Sequence, residues 1–284
     1  MIHDRETNFL YFADKLKKEK YSAFLARFEK VLIENDIQYE FLSKTKDIWA
    51  VDFMPVQVSV DNFVQFEYNP DYLQSKTQHK TISDVDSICK SIGILPNRSK
   101  LIVDGGNVVR TTNKVIMCDK VFKENPTVSE KELIKQLRDT FEVDHLFFVP
   151  WDTSDFTGHA DGMVRFVDSN TVLINAYINE TIEYQRSFRI ALHNAGLDWI
   201  EIPYNPYNNK PSSSAEGVYL NYLQMKQAVI IPTFKRKEDE KAVRILEQVF
   251  KGQKIATIDS NEIAIEGGIL NCISWNIKTT TNGL

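Results

Sequence analysis

Residue types that can make and break bonds stand far apart in this chain. They are a cysteine at 272, a histidine at 159 with an aspartate at 161, and lone acids at 52 and 104 inside apolar runs. In TGHADGMVRF, residues 157–166, an extended backbone would project His159 and Asp161 from the same face. An imidazole and a carboxylate would then share one pocket, pairing a proton shuttle with a cation binder. A core histidine beside a solvated aspartate is the plainer reading of the same pair. Cys272 follows the Gly267-Gly268 turn of EGGILNCISWN, where glycine lets backbone pack closely. A cysteine so placed, with one plausible histidine partner elsewhere, is a candidate nucleophile. His3, His79, His145 and His193 lack a comparable carboxylate and glycine setting, and Cys89 and Cys118 read as small buried hydrophobes.

Other polar residues are less decided. Asp52, in WAVDFMP beside Trp49, must turn to solvent or meet a cation, because burying a lone carboxylate costs several kcal/mol. Asp104 opens Asp-Gly-Gly-Asn at the end of an apolar strand, as readily a turn former as a ligand. Asn221, in YLNYLQM, could present its amide to a substrate or hold a strand end. Arg165 has the parity to lie on the face of His159 and Asp161, although such an arginine more often pairs with a nearby acid.

The elements that must position these residues follow a repeated order. Residues 8–35 read as helix, with Phe24, Leu25, Phe28, Val31 and Leu32 at helical spacing, followed by a strand over 37–42. Residues 47–60 read as largely extended, 63–68 as strand, 69–81 as loop, 82–92 as helix closed by Gly93, and 101–103 as strand. Two strands then precede a helix with a capping box, Ser129 and Glu132, whose apolar face carries Leu133, Ile134, Leu137 and Phe141. A strand at 146–150 completes that unit. Strand, strand, helix, strand recurs to about residue 204 and once more to 259, and residues 269–277 form a last strand without a helix. The amino terminus supplies a helix and strand without a first strand, so the two ends complement each other.

Five such units of about 57 residues closed by both termini would make a ring. Asp52, Asp104, His159, Asn221 and Cys272 mark the same interval, 52, 55, 62 and 51 positions apart, and equivalent positions in a ring converge on its axis. An ordinary layered α/β fold would give a similar string.

Composition bounds the function. With 284 residues, 43% hydrophobic and 26% charged, the chain can bury a large core. A net charge of −5 offers no basic footprint for nucleic acid, and residues 15–20 read as a solvated helix face. Neither a signal peptide nor a run of membrane-spanning length is visible, so a cytoplasmic protein with no membrane partner is expected. Three cysteines without CxxC spacing indicate neither a disulfide frame nor a zinc knuckle.

WAVDFMP, LIVDGGN, TGHADGMVRF, YLNYLQMKQAVIIPTF and EGGILNCISW, in this order, resemble the successive motifs of the agmatine deiminase and bacterial (Porphyromonas-type) peptidylarginine deiminase family, over about residues 47–277. The resemblance implies the pentein superfamily fold, a five-bladed α/β propeller, as a single domain over 1–284. It implies Cys272 as nucleophile, His159 as general acid and base, Asp52 and Asp161 as carboxylates holding a guanidinium, and Asn221 as a substrate-side contact. Trp49, Asp104 and Arg165 join the expected substrate surroundings. Two carboxylates can grip a planar guanidinium and make its carbon electrophilic without a metal or other cofactor, which points to conversion of a guanidine to a ureido group through a covalent cysteine adduct. The chain departs from the family pattern at Val51, where arginine is usual, at Asn271, where histidine is frequent, and at Lys226, where a second asparagine is common. These put substrate identity in question more than chemistry. A small guanidine such as agmatine or an arginine derivative is the favoured partner, an arginine peptide the nearest rival. The same residues would also suit amidino transfer, a non-catalytic binding protein, or a zinc site built from His159, Asp161 and Cys272, and a homo-oligomer is left open. Residues 205–214, NPYNNKPSSS, are the candidate mobile lid or specificity loop.

Overall fold

The computed structural model describes residues 1–153 and 155–280. Its strands, in chain order, are β1 (Phe9–Ala13), β2 (Gln38–Leu42), β3 (Val56–Gln57), β4 (Phe63–Glu67), β5 (Asn97–Ile102), β6 (Val109–Thr111), β7 (Lys114–Cys118), β8 (His145–Val149), β9 (Val164–Phe166), β10 (Thr171–Asn175), β11 (Asp198–Ile202), β12 (Leu223–Gln224), β13 (Ala228–Thr233), β14 (Lys254–Asp259) and β15 (Ser274–Ile277). They form five sheets of three: β3-β4-β5, β6-β7-β8, β9-β10-β11, β12-β13-β14 and β15-β1-β2. In every sheet the first strand runs antiparallel to the middle one and the middle one parallel to the third. A parallel pair needs a crossover, and a helix supplies each: Ser22–Glu34, Val85–Ser91, Glu130–Phe141, Ile182–Asn194 and Asp239–Val249.

The last sheet joins the chain ends, with Phe9 opposite Ile277 and Phe12 opposite Ser274. Five sheets closed by both ends are the arrangement that the pentein resemblance implies. Middle strands are apolar and buried almost throughout, as in FLYFA and AVIIPT, whereas third strands such as QYEFL alternate exposed and covered residues. This is the pattern of a strand covered on both faces beside one with an open face. Ser129 caps its helix by accepting from the Glu132 backbone N–H, and Leu133, Leu137 and Phe141 carry the buried stripe.

The chain differs from its linear reading in places that matter for the site. The expected helix over 8–35 begins only at Ser22, and residues 9–13 are instead the buried middle strand β1. An unbroken apolar run has no period by which to tell strand from helix. Residues 47–60 are not mainly extended: Ala50–Phe53 is one helical turn and only Val56–Gln57 pairs as strand. Residues 120–124 are helical rather than a strand continuation, and β15 starts at Ser274, beyond Cys272. Gly105–Asn107 and Ala160–Gly162 are single 3-10 turns, so His159 and Asp161 do not lie on a strand. Among the described residues no helix is long and apolar enough to cross a membrane.

Candidate active site

The polar residues singled out by type and spacing gather on short turns next to the sheets. Asp52 sits in the Ala50–Phe53 turn, Asp104 and His159 immediately precede the 3-10 turns Gly105–Asn107 and Ala160–Gly162, and Asp161 lies within the latter. His159 is held from both ring nitrogens. Nε2 lies 3.0 Å from Asp104 Oδ2 and Nδ1 lies 3.4 Å from Asp52 Oδ1, which also accepts the Gly106 N–H at 3.1 Å. A Cβ at position 106 would stand 2.5 Å from Asp52 Oδ1 and 2.6 Å from His159 Nδ1, so this approach requires glycine.

Cys272 occupies the turn before β15. Its Sγ lies 3.1 Å from Asn221 Nδ2 and 3.8 Å from Asp161 Oδ2. Asp161 Oδ2 also accepts from Asn271 Nδ2 at 2.7 Å and from Asn221 Nδ2 at 3.3 Å. Asn221 Oδ1 accepts the backbone N–H groups of Ile269, Asn271 and Cys272. Gly268 is a second obligatory glycine, since a Cβ there would meet the Trp49 ring at 2.6 Å and Cys272 Sγ at 3.0 Å. Gly268 thus stands against both the Trp49 ring and the sulfur.

Charge sets the behaviour of this cluster. Burial pushes the Asp52 carboxyl well above the usual carboxylate range, with Asp104 and Asp161 adding to the rise and the His159 charge opposing it. Burial likewise raises Asp161 against the opposing pull of His159, Asn271 and Arg165. For His159 burial acts downward but is outweighed by Asp52, by the bond to and charge of Asp104, and by Asp161, so that it is pushed up to about 10. The imidazole therefore carries a proton at neutral pH. Burial, then Asp161 and Asp52, push the Cys272 thiol well above its ordinary value. Three carboxyl groups crowd one imidazole in a buried site.

Two expected contacts are used elsewhere. Arg165 gives Nη2 to Asp4 Oδ2 at 2.8 Å and Nη1 to the Tyr222 carbonyl at 3.1 Å, and stacks 4.5 Å over the Tyr222 ring. It pairs with an acid, the commoner role, and reaches Asp161 only through charge. Asn221 spends its amide on the Cys272 turn rather than keeping it for a substrate. Asp104 Oδ2 holds His159 and the Tyr72 hydroxyl, while buried Oδ1 has no hydrogen-bond partner among the described residues.

Sequence reasoning missed Tyr72, Lys120 and the part played by Asn271. Tyr72 fell in a polar stretch read as loop, and donates to Asp104 Oδ2 at 3.0 Å. Lys120 is fully buried, its Nζ 2.9 Å from Asp71, 3.2 Å from Glu124, and donating to the carbonyls of Phe156 and Thr157 just before His159. A lysine inside KVIMCDKVF, set with Asp119 between two apolar runs, was the available signal. Asn271, which stands where the family often has histidine, holds Asp161. Val51 sends its backbone N–H to the Cys272 carbonyl, and Lys226 is exposed.

Residues 205–214 are tied down. Arg236 binds the Asn205 carbonyl and Asn209 Oδ1, and Asn209 Nδ2 donates to the Ser214 carbonyl at 2.8 Å. The loop passes the Gly267 turn, where a Cβ would stand 3.4 Å from the Ser213 carbonyl oxygen, and the Ala215 N–H just beyond it donates to the Ala264 carbonyl. Among the described residues no three His, Cys, Asp or Glu side chains are grouped to hold a metal ion, so the zinc arrangement of His159, Asp161 and Cys272 is not formed.

The agmatine deiminase of Pseudomonas aeruginosa (strain UCBPP-PA14) is 23% identical over 202 residues, covering 61% of this chain and 54% of that protein. The match thus spans about half the length of that curated relative. Among solved structures, the C. jejuni agmatine deiminase superposes with a TM-score of 0.81 at 21% identity, covering 100% of this chain and 96% of that one. DDAH from Pseudomonas aeruginosa gives 0.58 at 12% identity, over 95% and 99%. At such identities the structural likeness speaks for the fold alone. Family assignment rests instead on residues 1–277, which match the Porphyromonas-type peptidyl-arginine deiminases. With its cysteine, histidine and carboxylates gathered on a five-sheet fold, the chain belongs to the Porphyromonas-type peptidyl-arginine deiminase family.

Proposed function

We propose that the chain is a hydrolytic deiminase, acting as a single domain on a small guanidine of the agmatine type and converting it to a ureido compound and ammonia. The observation that carries this reading is the acid-rich, cation-poor chamber around a sulfur: Cys272 Sγ stands 3.8 Å from Asp161 and feels Asp52 as well. A guanidinium supplies the missing charge in planar form, and paired charge-assisted hydrogen bonds from Asp52 and Asp161 orient it. Trp49 offers an aromatic wall beside the sulfur.

The same charge governs the chemistry. Without a cation the acids keep the thiol protonated; a guanidinium bound beside them and the sulfur removes that penalty and the thiol proton passes to solvent, so the nucleophile is generated where its target is bound. The sulfur bonds to the guanidinium carbon as its C=N π bond opens onto nitrogen, and the two acids hold the nitrogens in place and stabilise the thiouronium cation that follows. His159, protonated at neutral pH, gives its proton to the leaving nitrogen as the C–N bond breaks, and ammonia departs. Neutral His159 then takes a proton from water as the water oxygen bonds to the thiouronium carbon. The C–S bond breaks, releasing the ureido product and the thiolate, while the remaining hydroxyl proton passes to solvent and on to the ammonia. Asp104 holds the imidazole throughout.

Small substrates are favoured because Asp52, His159 and Asp161 are each at most 7% exposed, with Cys272 half-buried beside them. A peptide backbone needs an open cleft. The Pseudomonas aeruginosa relative named above is an agmatine deiminase, and a C. jejuni enzyme of that name has been solved with substrate bound; both support the same substrate class. Every side chain in the scheme comes from one chain, so neither a second subunit nor a nucleic acid or membrane partner is required. Cys89, Cys118 and Cys272 are all free thiols, which suits a reducing cytoplasm.

The test is a panel of agmatine, free arginine, methylated arginines and arginine peptides, with ammonia and ureido product measured. Agmatine should give ammonia and carbamoylputrescine, and Cys272→Ala should give neither. Absence of ammonia from every guanidine would overturn the reading, and amidino transfer to an added amine without ammonia would replace hydrolysis by transfer.

A further inference from the structure

We infer that Asn221 is a further catalytic residue, the amide that both aims Cys272 and stabilises its thiolate by donating a hydrogen bond to Sγ. The inference rests on the reading of Cys272 as nucleophile. It reassigns Asn221 from the substrate to the enzyme's own sulfur.

The orientation of the amide follows from its partners. Three backbone N–H groups, those of Ile269, Asn271 and Cys272, converge on one terminal atom of the Asn221 side chain at 3.2, 3.1 and 3.3 Å. An amide nitrogen cannot accept them, so that atom is the oxygen and the NH2 group faces the other way. There it finds Sγ at 3.1 Å and Asp161 Oδ2 at 3.3 Å. One side chain thus pins the turn that carries the cysteine and offers its two protons to the two atoms that bear negative charge during attack. Its backbone carbonyl adds a bond from the Asn271 N–H at 3.2 Å. This fastens the segment ahead of β12 to the segment ahead of β15 at the nucleophile itself.

Residue type is explained by the substrate. Lysine or arginine in this position would favour thiolate more strongly, yet a fixed cation in contact with both Asp161 and the sulfur would neutralise the acid that a guanidinium must meet. A carboxylate would raise the thiol further. A neutral donor stabilises sulfur while leaving the acids uncompensated until a cationic ligand arrives. Hydrogen bonds to a charged partner are strong enough to change the thiolate fraction about tenfold.

The experiment is alkylation of the full chain by iodoacetamide from pH 6 to 9.5, counted on the Cys272 peptide by mass spectrometry. Peptides of buried Cys89 and Cys118 report the fold, and Cys272→Ala confirms the assignment. Asn221→Asp keeps the acceptor for the three N–H groups and puts an anion in place of the donor; Asn221→Ser withdraws both from reach without adding charge, and so is the variant that reads the donor alone. Both variants should alkylate Cys272 about tenfold more slowly at a given pH, with the rise in rate displaced to higher pH. Wild-type rates and inflection in either folded variant overturn the proposal, and if one variant unfolds the other decides. Slow alkylation in the variants beside wild-type protein that turns over no guanidine would uphold the role of Asn221 and reject the proposed function.

Discussion

The two sides of the site are built from opposite materials. His159 is gripped by acids, Asp104 on one nitrogen and Asp52 on the other, and behind them stands buried Lys120, which ties together the turn carrying Tyr72 and the loop leading to His159. Cys272 is gripped by neutral groups, the amide of Asn221 and the backbone it fastens, with Asn271 holding Asp161 in place. An acid–base group needs fixed charge to set its proton affinity, and carboxylates supply it. A nucleophile that must meet a cation cannot have a permanent cation beside it, so its support is amide. The comparison teaches that the site's acids serve one side at the expense of the other, and that the cationic substrate proposed above would reconcile them.

Breaking each side separately sharpens the contrast. The largest effect belongs to Cys272→Ala, for which ammonia release should fall by about 10^4-fold or more. Asp161→Asn keeps shape but not charge; kcat/KM should fall about 10^2- to 10^3-fold, while Cys272 alkylates faster because its nearest anion is gone. An equal loss of alkylation would show that Asp161 serves position rather than charge. His159→Gln should lower turnover by roughly 10^2- to 10^4-fold, leave alkylation of Cys272 within a few fold, and flatten the pH dependence of stability. The sign follows from a folded pKa raised from 6.5 to about 10. The imidazolium contributes stability that is fully present below pH 6.5 and is lost as pH rises through 10. Melting temperature should therefore decline between pH 8 and 10 in the wild type, and less steeply in the variant. Lys120→Met empties the buried ammonium site and leaves Asp71 and Glu124 facing each other. Stability should drop by about 3 kcal/mol by denaturant titration, and kcat should fall about tenfold with little change in alkylation. Smallest is Tyr72→Phe, which deletes one hydrogen bond to Asp104 and should cost about 1 kcal/mol, seen as a fivefold lower kcat.

Much of this was legible without coordinates. The order of strands and helices, the interval separating Asp52, Asp104, His159, Asn221 and Cys272, and the glycines beside Asp104 and Cys272 each reflect local chemistry that a linear reading captures. Errors fell where local pattern carries no information. The buried run FLYFA has no periodicity to name it as β1. The turns at Ala50–Phe53 and Ala160–Gly162 replaced extended backbone because single turns bend the chain toward the site, a demand set by neighbouring sheets. Tyr72 and Lys120 could not be placed, since nothing near them in the chain says that they meet Asp104 and the loop before His159.

By itself the sequence determined which chemistry could occur: one sulfur in a glycine turn, one imidazole beside an acid, and acids embedded in apolar surroundings that oblige them to find a cation. Tertiary structure alone decided the partners. It gave Arg165 to Asp4 and Tyr222, Asn221 to the sulfur, and Asn271 to Asp161, pairs up to 161 residues apart. The reason is physical: side-chain parity fixes the direction of a group within its own element, but the atom it meets depends on how the five sheets close, which no single segment encodes.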